Sequence, residues 1–300
     1  MNKEIIDFLD INGILYELDI SAKTLVSFKI GGKVKIVIYP KNLKELIDTI
    51  SILKSSKFRF VFLGNGTNTF FSDEGYDGAV ISTKKMNKIS VNDTHITAQC
   101  GANLKDCCIV AFLNSLTGME FAYGIPGNIG GCIYMNASAF GKDMSNIVLK
   151  TVVLNTETEE LFTINKEEHL YGMKHSVFMD NKNYFIVETQ LELRKGNKDK
   201  IYSAMEENMS KRNASQPLDI PSAGSVFKRP LNNYASKLID DAGLKKTTVG
   251  DAEVSELHAG FIVNNGNAKS SDVLNLIQIV KNRIYDLYGI LLEEEIIYIE

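Results

Sequence analysis

The 300-residue sequence has no tryptophan, five prolines, four histidines and four cysteines. It also lacks any uninterrupted apolar run near the ~20 residues that a membrane-spanning helix requires, so no bilayer insertion is expected. The opening stretch MNKEIIDFLD carries Glu4 and Asp7 and no long apolar core; it does not read as a signal peptide, and a cytoplasmic location is the expectation. The cysteines, Cys100, Cys107, Cys108 and Cys132, form no CxxC pair. That spacing argues against a disulfide framework or a zinc site, so no metal is expected, and the thiols read as small buried hydrophobes in a reducing compartment. Clustered positive charge is missing as well. Lys and Arg total 33 against 37 Asp and Glu, a net charge of −4, which does not mark a nucleic-acid binder. Small anionic ligands stay compatible, because a few local basic residues can serve them.

What is present is ordinary globular material, 44% hydrophobic and 23% charged, in a chain long enough for two cores. VKIVIY (34–39) reads as a strand. Asn42 then stands as a helix N-cap with Glu45 three residues on, before Leu43, Leu46, Ile47, Ile50 and Leu53 on one helical face. FRFVFL (58–63) and AVIS (79–82) read as strands, and Asn103 with Asp106 repeats the cap before a helix near 104–114. IVLKTVVLN (147–155) and YFIVETQLEL (184–193) are longer strands. Beyond the charged connection RKGNKDK come a polar helix near 199–212 and the loop QPLDIPSAGSVFKRP, which holds three of the five prolines. Alternating elements follow: a helix near 233–242, the strand GFIVN (260–264), a helix over 271–288 with Ser271 as N-cap, and the strand EIIYI (295–299). The pattern predicts a large N-terminal domain and a smaller α/β C-terminal domain, with a boundary near 195–215.

Two glycine clusters stand out. The first, Gly64-Asn65-Gly66-Thr67-Asn68, follows a strand but leads to another strand rather than a helix, so it is not a Rossmann fingerprint. It can hold phosphate through backbone amides aided by Asn65, Thr67 and Asn68, or serve as a tight turn. The second runs Gly124-Ile125-Pro126-Gly127-Asn128-Ile129-Gly130-Gly131 and continues to Asn136 and Ser138. Its glycines leave room for a flat ligand or its phosphates against the backbone; a close strand crossing would use them equally. Two such loops in one domain suggest a dinucleotide held in a non-Rossmann fold.

Eight stretches, SFKIGG (27–32), FLGNGTN (62–68), GMEFAYGIPGNIGG (118–131), YMNASAFG (134–141), PSAGSVFKRP (221–230), SKLIDDAGLK (236–245), VSELHAGFIVN (254–264) and LEEEI (292–296), resemble in order the shorter class of UDP-N-acetylenolpyruvoylglucosamine reductases (MurB). The resemblance covers nearly the whole chain. It implies an α+β protein: a two-subdomain PCMH/VAO-type FAD-binding domain (21–195) after an N-terminal helix and lead-in (1–20), and a smaller α/β substrate-binding domain (196–300). It implies non-covalent FAD on Gly64, Asn65, Gly66, Thr67, Asn68, Gly124, Pro126, Gly127, Asn128, Gly130, Gly131, Asn136 and Ser138. It also implies NADPH as reductant and a UDP-sugar substrate; the sequence does not fix the oligomeric state, and a monomer is the expectation. Ser225 matches the family's serine acid, and Glu295 the glutamate that helps to polarise the substrate, with Glu293 and Glu294 beside it as alternatives.

Where the family has Tyr-Arg-x-Ser, this chain has Met173-Lys174-His175-Ser176. Lys174 keeps the charge of a third catalytic position without the planar fork of arginine. Thr247-Thr248-Val249-Gly250-Asp251 stands where the family carries an arginine and paired glycines, so Asp251 adds a negative charge there. Lys228 and Lys237 correspond to phosphate or carboxylate contacts; Lys211, Arg212 and Arg229 read equally as surface charges. The departures favour FAD binding over turnover and keep open a non-catalytic or divergent paralogue that binds FAD, a UDP-sugar or both.

Overall fold

A computed structural model describes residues 3–300. Compactness divides the chain into two units that interleave in sequence. The first holds the N-terminal stretch to Tyr16, Val37–Asn65 and Ala79–Arg212; the second holds Glu17–Ile36, Gly66–Gly78 and Asn213–Glu300. No single cut separates them. Among the described residues no helix is long and apolar enough to cross a membrane.

The first unit is built on a five-stranded sheet in the order Leu161–Asn165, Val148–Asn155, Tyr184–Glu192, His95–Gln99, Ile89–Asn92, with every neighbour antiparallel. Val148–Asn155 and Tyr184–Glu192 are β-branched runs that the sequence marked as strands, whereas Leu161–Asn165, His95–Gln99 and Ile89–Asn92 are strands it did not single out. Its middle contains an unexpected polar element. Thr151 and Thr189 face each other across two strands with hydroxyls 3.1 Å apart, and the fully buried His169 bonds Thr151 through Nε2 at 2.8 Å. Beside this sheet, Phe60–Leu63 pairs parallel with Ala79–Ser82. The helix Leu43–Ser55 begins where expected: Asn42 Oδ1 accepts from Glu45 N at 2.9 Å, while the Glu45 carboxylate reaches back to Lys41 N. The helix Leu104–Leu113 buries Leu104, Cys107, Cys108 and Ala111, one face at helical spacing.

The second unit has an antiparallel sheet in the order Ser222–Ser225, Phe261–Asn264, Ala252–Val254, Thr248–Val249. Against it pack the helices Ala235–Asp241 and Ser270–Tyr288, the second burying Val273, Leu276, Ile277, Val280 and Ile284. Its core also takes Phe28, Ile30 and Phe70 from the N-terminal part of the sequence, each no more than 1% exposed. Burying such a side chain is worth about 1.5–3 kcal/mol, so these segments belong to the core energetically as well as by contact. Thr69–Phe71 pairs parallel with Ile297–Ile299, which shortens the expected strand over 295–299.

The start of the last helix differs from expectation. Ser271 is not its N-cap. The helix begins at Ser270, and Lys269 holds the cap position with its N–H given to Asp272 at 2.9 Å. The cause is Asp73, whose carboxylate accepts from Ser270 N, Ser270 Oγ and Ser271 N at 2.9, 2.9 and 3.3 Å, so a distant carboxylate takes over the orphan amides of the first turn. Partial burial pushes the Asp73 pKa up, but these hydrogen bonds, with Lys269 nearby, outweigh it and hold the carboxyl below its ordinary value.

A group with a depressed folded pKa contributes stability above its unfolded pKa and loses it as pH falls through the folded value. Asp73→Ala therefore lowers stability at neutral pH by about 1 kcal/mol, the usual loss of a helix cap. The gap between variant and wild type closes as pH drops below about 4, the ordinary aspartate range. Denaturant unfolding at neutral and acid pH measures both; a gap that persists in acid excludes the ionic cap.

Candidate active site

In the first unit the two glycine loops touch. A Cβ on Gly64 would lie 2.3 Å from Asn128 Oδ1, so only glycine permits the approach. Asn128 is 2% exposed and donates to Thr83 Oγ1 at 3.1 Å, so its carboxamide is held inside the protein. Asn65 Nδ2 donates to Asn103 Oδ1 at 2.8 Å. This explains why Asn103, expected as a side-chain cap, makes no cap hydrogen bond. The helix start is satisfied instead by the second loop, Leu104 N donating to Gly127 O at 3.0 Å.

The second cluster is partly helical rather than all loop. Ile129–Tyr134 forms a short helix because Ile129, Cys132 and Ile133 turn inward. Gly130 lies against Cys100, where an added Cβ would be 3.0 Å from Cys100 Cβ. Gly124 lies against Arg212, where a Cβ would be 2.9 Å from Cδ. Arg212 is thus packed on the loop rather than displayed as a surface charge, and burial lowers its pKa. Pro126 and Ser138 are exposed, and Ser138 opens a small hairpin with Lys142–Asp143. The N–H groups of Gly64, Asn65 and Gly127 take no acceptor among the described residues. Unused backbone donors on touching glycine loops suit a pyrophosphate, so this part of the chain fits the expected FAD. Cys132 is a poor candidate for a flavin bond: burial pushes its thiol up to about 12, against a smaller opposing effect of Lys174.

Lys174 occupies a turn in the same unit. Gly172 and His175 exchange backbone hydrogen bonds of 3.1 and 3.4 Å, and Lys174 between them has φ +55°. Met173 is exposed, while Ser176 is fully buried and gives its hydroxyl to Tyr134 O. Asn136, itself at φ +46°, is buried beside this turn.

In the second unit Gly66 has φ +66°, and a Cβ there would strike Leu25 O at 2.4 Å. Asn68 Nδ2 donates to Glu295 O at 2.8 Å, and Glu295 N to Val226 O at 2.7 Å, which fixes Glu295 beside the strand of Ser225. A register shift between Ser222 and Ser225, with Gly224 at φ +79°, redirects that strand. The Glu293 and Glu294 carboxylates are exposed and paired with Lys228 at 3.2 Å and Lys281 at 2.7 Å, whereas Glu295 is half-buried. Lys237 pairs with Asp241 on the surface of its helix. Asp251, the unusual charge, accepts Asn267 N at 2.9 Å and so has a local structural partner. The sequence did not single out the hold of Ser27 Oγ on Ser222 O at 2.7 Å or of Asn264 Nδ2 on Phe28 O at 3.1 Å. The only signal for Ser27 was its place at the head of SFKIGG.

A cleft of about 510 Å³ in the first unit, lined among others by Glu120, Phe140, Lys142 and Lys200, includes none of the predicted site residues.

Residues 216–299 match the UDP-N-acetylenolpyruvoylglucosamine reductase C-terminal domain, and residues 34–164 match an FAD binding domain. A UDP-N-acetylenolpyruvoylglucosamine reductase of Clostridium kluyveri is 41% identical over 98% of this chain and 94% of its own. The enzyme of the same name from Caldanaerobacter subterraneus is 42% identical over 95% of this chain and 93% of its own. The crystal structure of the Thermus caldophilus reductase (MurB) superposes with a TM-score of 0.80 at 27% identity, covering 96% of this chain and 99% of the other. This chain belongs to the UDP-N-acetylenolpyruvoylglucosamine reductase family.

Proposed function

We propose that this protein reduces UDP-N-acetylenolpyruvoylglucosamine to UDP-N-acetylmuramate for peptidoglycan synthesis, using non-covalent FAD and NADPH. The observation that carries the reading is the near-full-length likeness to reductases of that name, with both glycine loops, Ser225 and Glu295 present. The reading includes a monomeric, cytoplasmic enzyme, in keeping with four buried, unbridged thiols.

Gly64, Asn65 and Gly127 would hold the cofactor's pyrophosphate through their amides, with the other residues of the two loops around it. When bound, FAD carries hydride from NADPH to the enolpyruvyl group. Reduction of that group builds negative charge on the carbon next to its carboxylate, and the protein must stabilise and then protonate it. Ser225 is the proton donor in this reading: its hydroxyl makes no hydrogen bond among the described residues and is free to turn toward a substrate. A serine hydroxyl is a weak acid and needs so basic an acceptor. Glu295 polarises the enolpyruvyl group from its fixed place beside the Ser225 strand. Lys174 supplies positive charge for the developing carboxylate charge. Lys228 and Lys237 meet the diphosphate by leaving Glu293 and Asp241; exposed pairs of this kind are worth at most about 1 kcal/mol, so the exchange is cheap.

The direct test adds NADPH and then UDP-N-acetylenolpyruvoylglucosamine to the yellow protein. Bleaching followed by substrate-dependent reoxidation is the expected result, and bleaching without it removes the named reaction while keeping the flavoprotein. Ser225→Ala should slow substrate-dependent reoxidation by about 10²–10⁴-fold, the range of a positioned acid. Its NADPH-driven bleaching should stay at the wild-type rate, and unchanged reoxidation would take the acid role from Ser225. Gly64→Ala forces Asn128 aside and should yield protein depleted in flavin, read from the ratio of flavin to protein absorbance; full flavin content excludes the loop contact as a binding determinant.

A further inference from the structure

The turn that carries Lys174 is in an unfavourable conformation. Its third residue must adopt positive φ, a place that glycine or asparagine fills readily and lysine does not. A non-glycine residue in the left-handed region costs about 1–2 kcal/mol, and such strain persists only where the surroundings over-determine it. Here three supports meet the turn. Tyr171 stacks on His169 with centroids 5.0 Å apart, and His169 is anchored at both nitrogens, on Asn165 O and Thr151 Oγ1, each at 2.8 Å. Ser176 hangs from Tyr134 O. Asn136 is the third support and the one that bonds the turn's own backbone. Its Nδ2 donates to Gly172 O at 2.9 Å, the same carbonyl that closes the turn, and its Oδ1 accepts from Ser145 N at 3.0 Å.

We propose that Asn136 is a positioning residue for Lys174, holding the Gly172–His175 turn in its left-handed form, and is not a cofactor contact. The sequence pattern places Asn136 with the flavin-binding residues, but the residue is 2% exposed and its carboxamide is engaged on both sides, at the turn through Nδ2 and at Ser145 through Oδ1. A buried donor that left Gly172 O would lose its partner at a penalty, so the clamp holds. The lysine charge slightly opposes the burial that raises the thiol of Cys132 in the short helix Ile129–Tyr134. This inference rests on the catalytic reading of Lys174 for its effect on rate, but not for its effect on the turn.

The test compares purified flavoprotein with Asn136→Asp, which keeps the acceptor for Ser145 N and removes the donor to Gly172 O. Tryptic cleavage after Lys174 should accelerate by about 10-fold, as loss of one buried hydrogen bond allows, while cleavage at the exposed Lys166 and Lys182 stays constant. Flavin content should remain that of the wild type. Substrate-dependent reoxidation should fall about 10- to 100-fold in kcat with KM unchanged, the signature of a displaced group rather than a lost binding contact. In a Lys174→Ala background Asn136→Asp should slow reoxidation no further. Loss of flavin with unchanged cleavage after Lys174 overturns the proposal and returns Asn136 to the cofactor. Where Asn136→Asp fails to fold, Ser176→Ala removes a second support of the turn, and unchanged cleavage after Lys174 in that variant overturns the proposal equally. A Lys174→Ala protein with normal reoxidation removes the catalytic reading of the lysine, and the cleavage result still decides the role of Asn136.

Discussion

The first unit depends on one steric fact: the backbone of Gly64 lies against the side chain of Asn128, in space that a Cβ would occupy. Asn128 is itself fixed by Thr83, at the end of the strand that pairs with Phe60–Leu63. The contact therefore ties the parallel strand pair to the second glycine loop. That loop in turn caps the helix Leu104–Leu113 through Gly127 O, and Asn65 engages Asn103 at the same helix start. A buried hydrogen bond of this kind is worth about 1 kcal/mol. The larger effect is geometric, since the Gly64 backbone meets the Asn128 side chain and the amides of Gly64, Asn65 and Gly127 have no acceptor among the described residues.

The second unit solves a different problem, how to hold the remote C-terminal segment alongside the strand of Ser225. Asn68 reaches Glu295 O, Val226 O takes Glu295 N, and Glu293 O takes Lys228 N at 2.8 Å. The C-terminal segment thus runs along the strand of Ser225 by main-chain bonds, independent of side-chain identity at 293 and 294. Those two glutamates consequently face solvent and lysines, while Glu295 is half-buried. The core under this arrangement draws Phe28, Ile30 and Phe70 next to residues from the C-terminal segment.

The local elements were legible because their signals are local. Asn42 and Glu45, the β-branched strands and Gly243 and Gly289 past helix ends all act within a few residues, and the structure repeats them. The helix start at Ser270 was misread because its cap comes from Asp73, far away in sequence. The same reason hid the role of Asn103: its side chain looks like a cap when only neighbours are considered, and Asn65 from across the fold claims it instead. The second glycine cluster misled differently. Glycine disfavours helix by about 1 kcal/mol per residue, but burial of Ile129, Cys132 and Ile133 overrides that preference at Gly130 and Gly131. The roles expected of Ser225 and Glu295 rest on the family motifs alone, because nothing in their spacing distinguishes an acid from a turn serine.

The departure at Lys174 is easier to understand once its backbone is considered with its charge. Arginine recognises a carboxylate by a rigid fork, so its value lies in orientation; lysine is a compact point charge on a flexible stem, so its value depends on distance. A lysine can replace part of what the fork provides only if the chain fixes where the stem begins. The turn at Gly172–His175 does so at the expense of a left-handed φ, held by the His169–Tyr171 stack, the Ser176 hydroxyl and the Asn136 carboxamide. The neighbouring Met173 is 66% exposed. The buried Thr151–Thr189–His169 array extends the same logic into the sheet. Polar groups that a purely apolar sheet centre would exclude are kept there, each with a partner, and they link His169, on which Tyr171 stacks, to two strands of the five-stranded sheet.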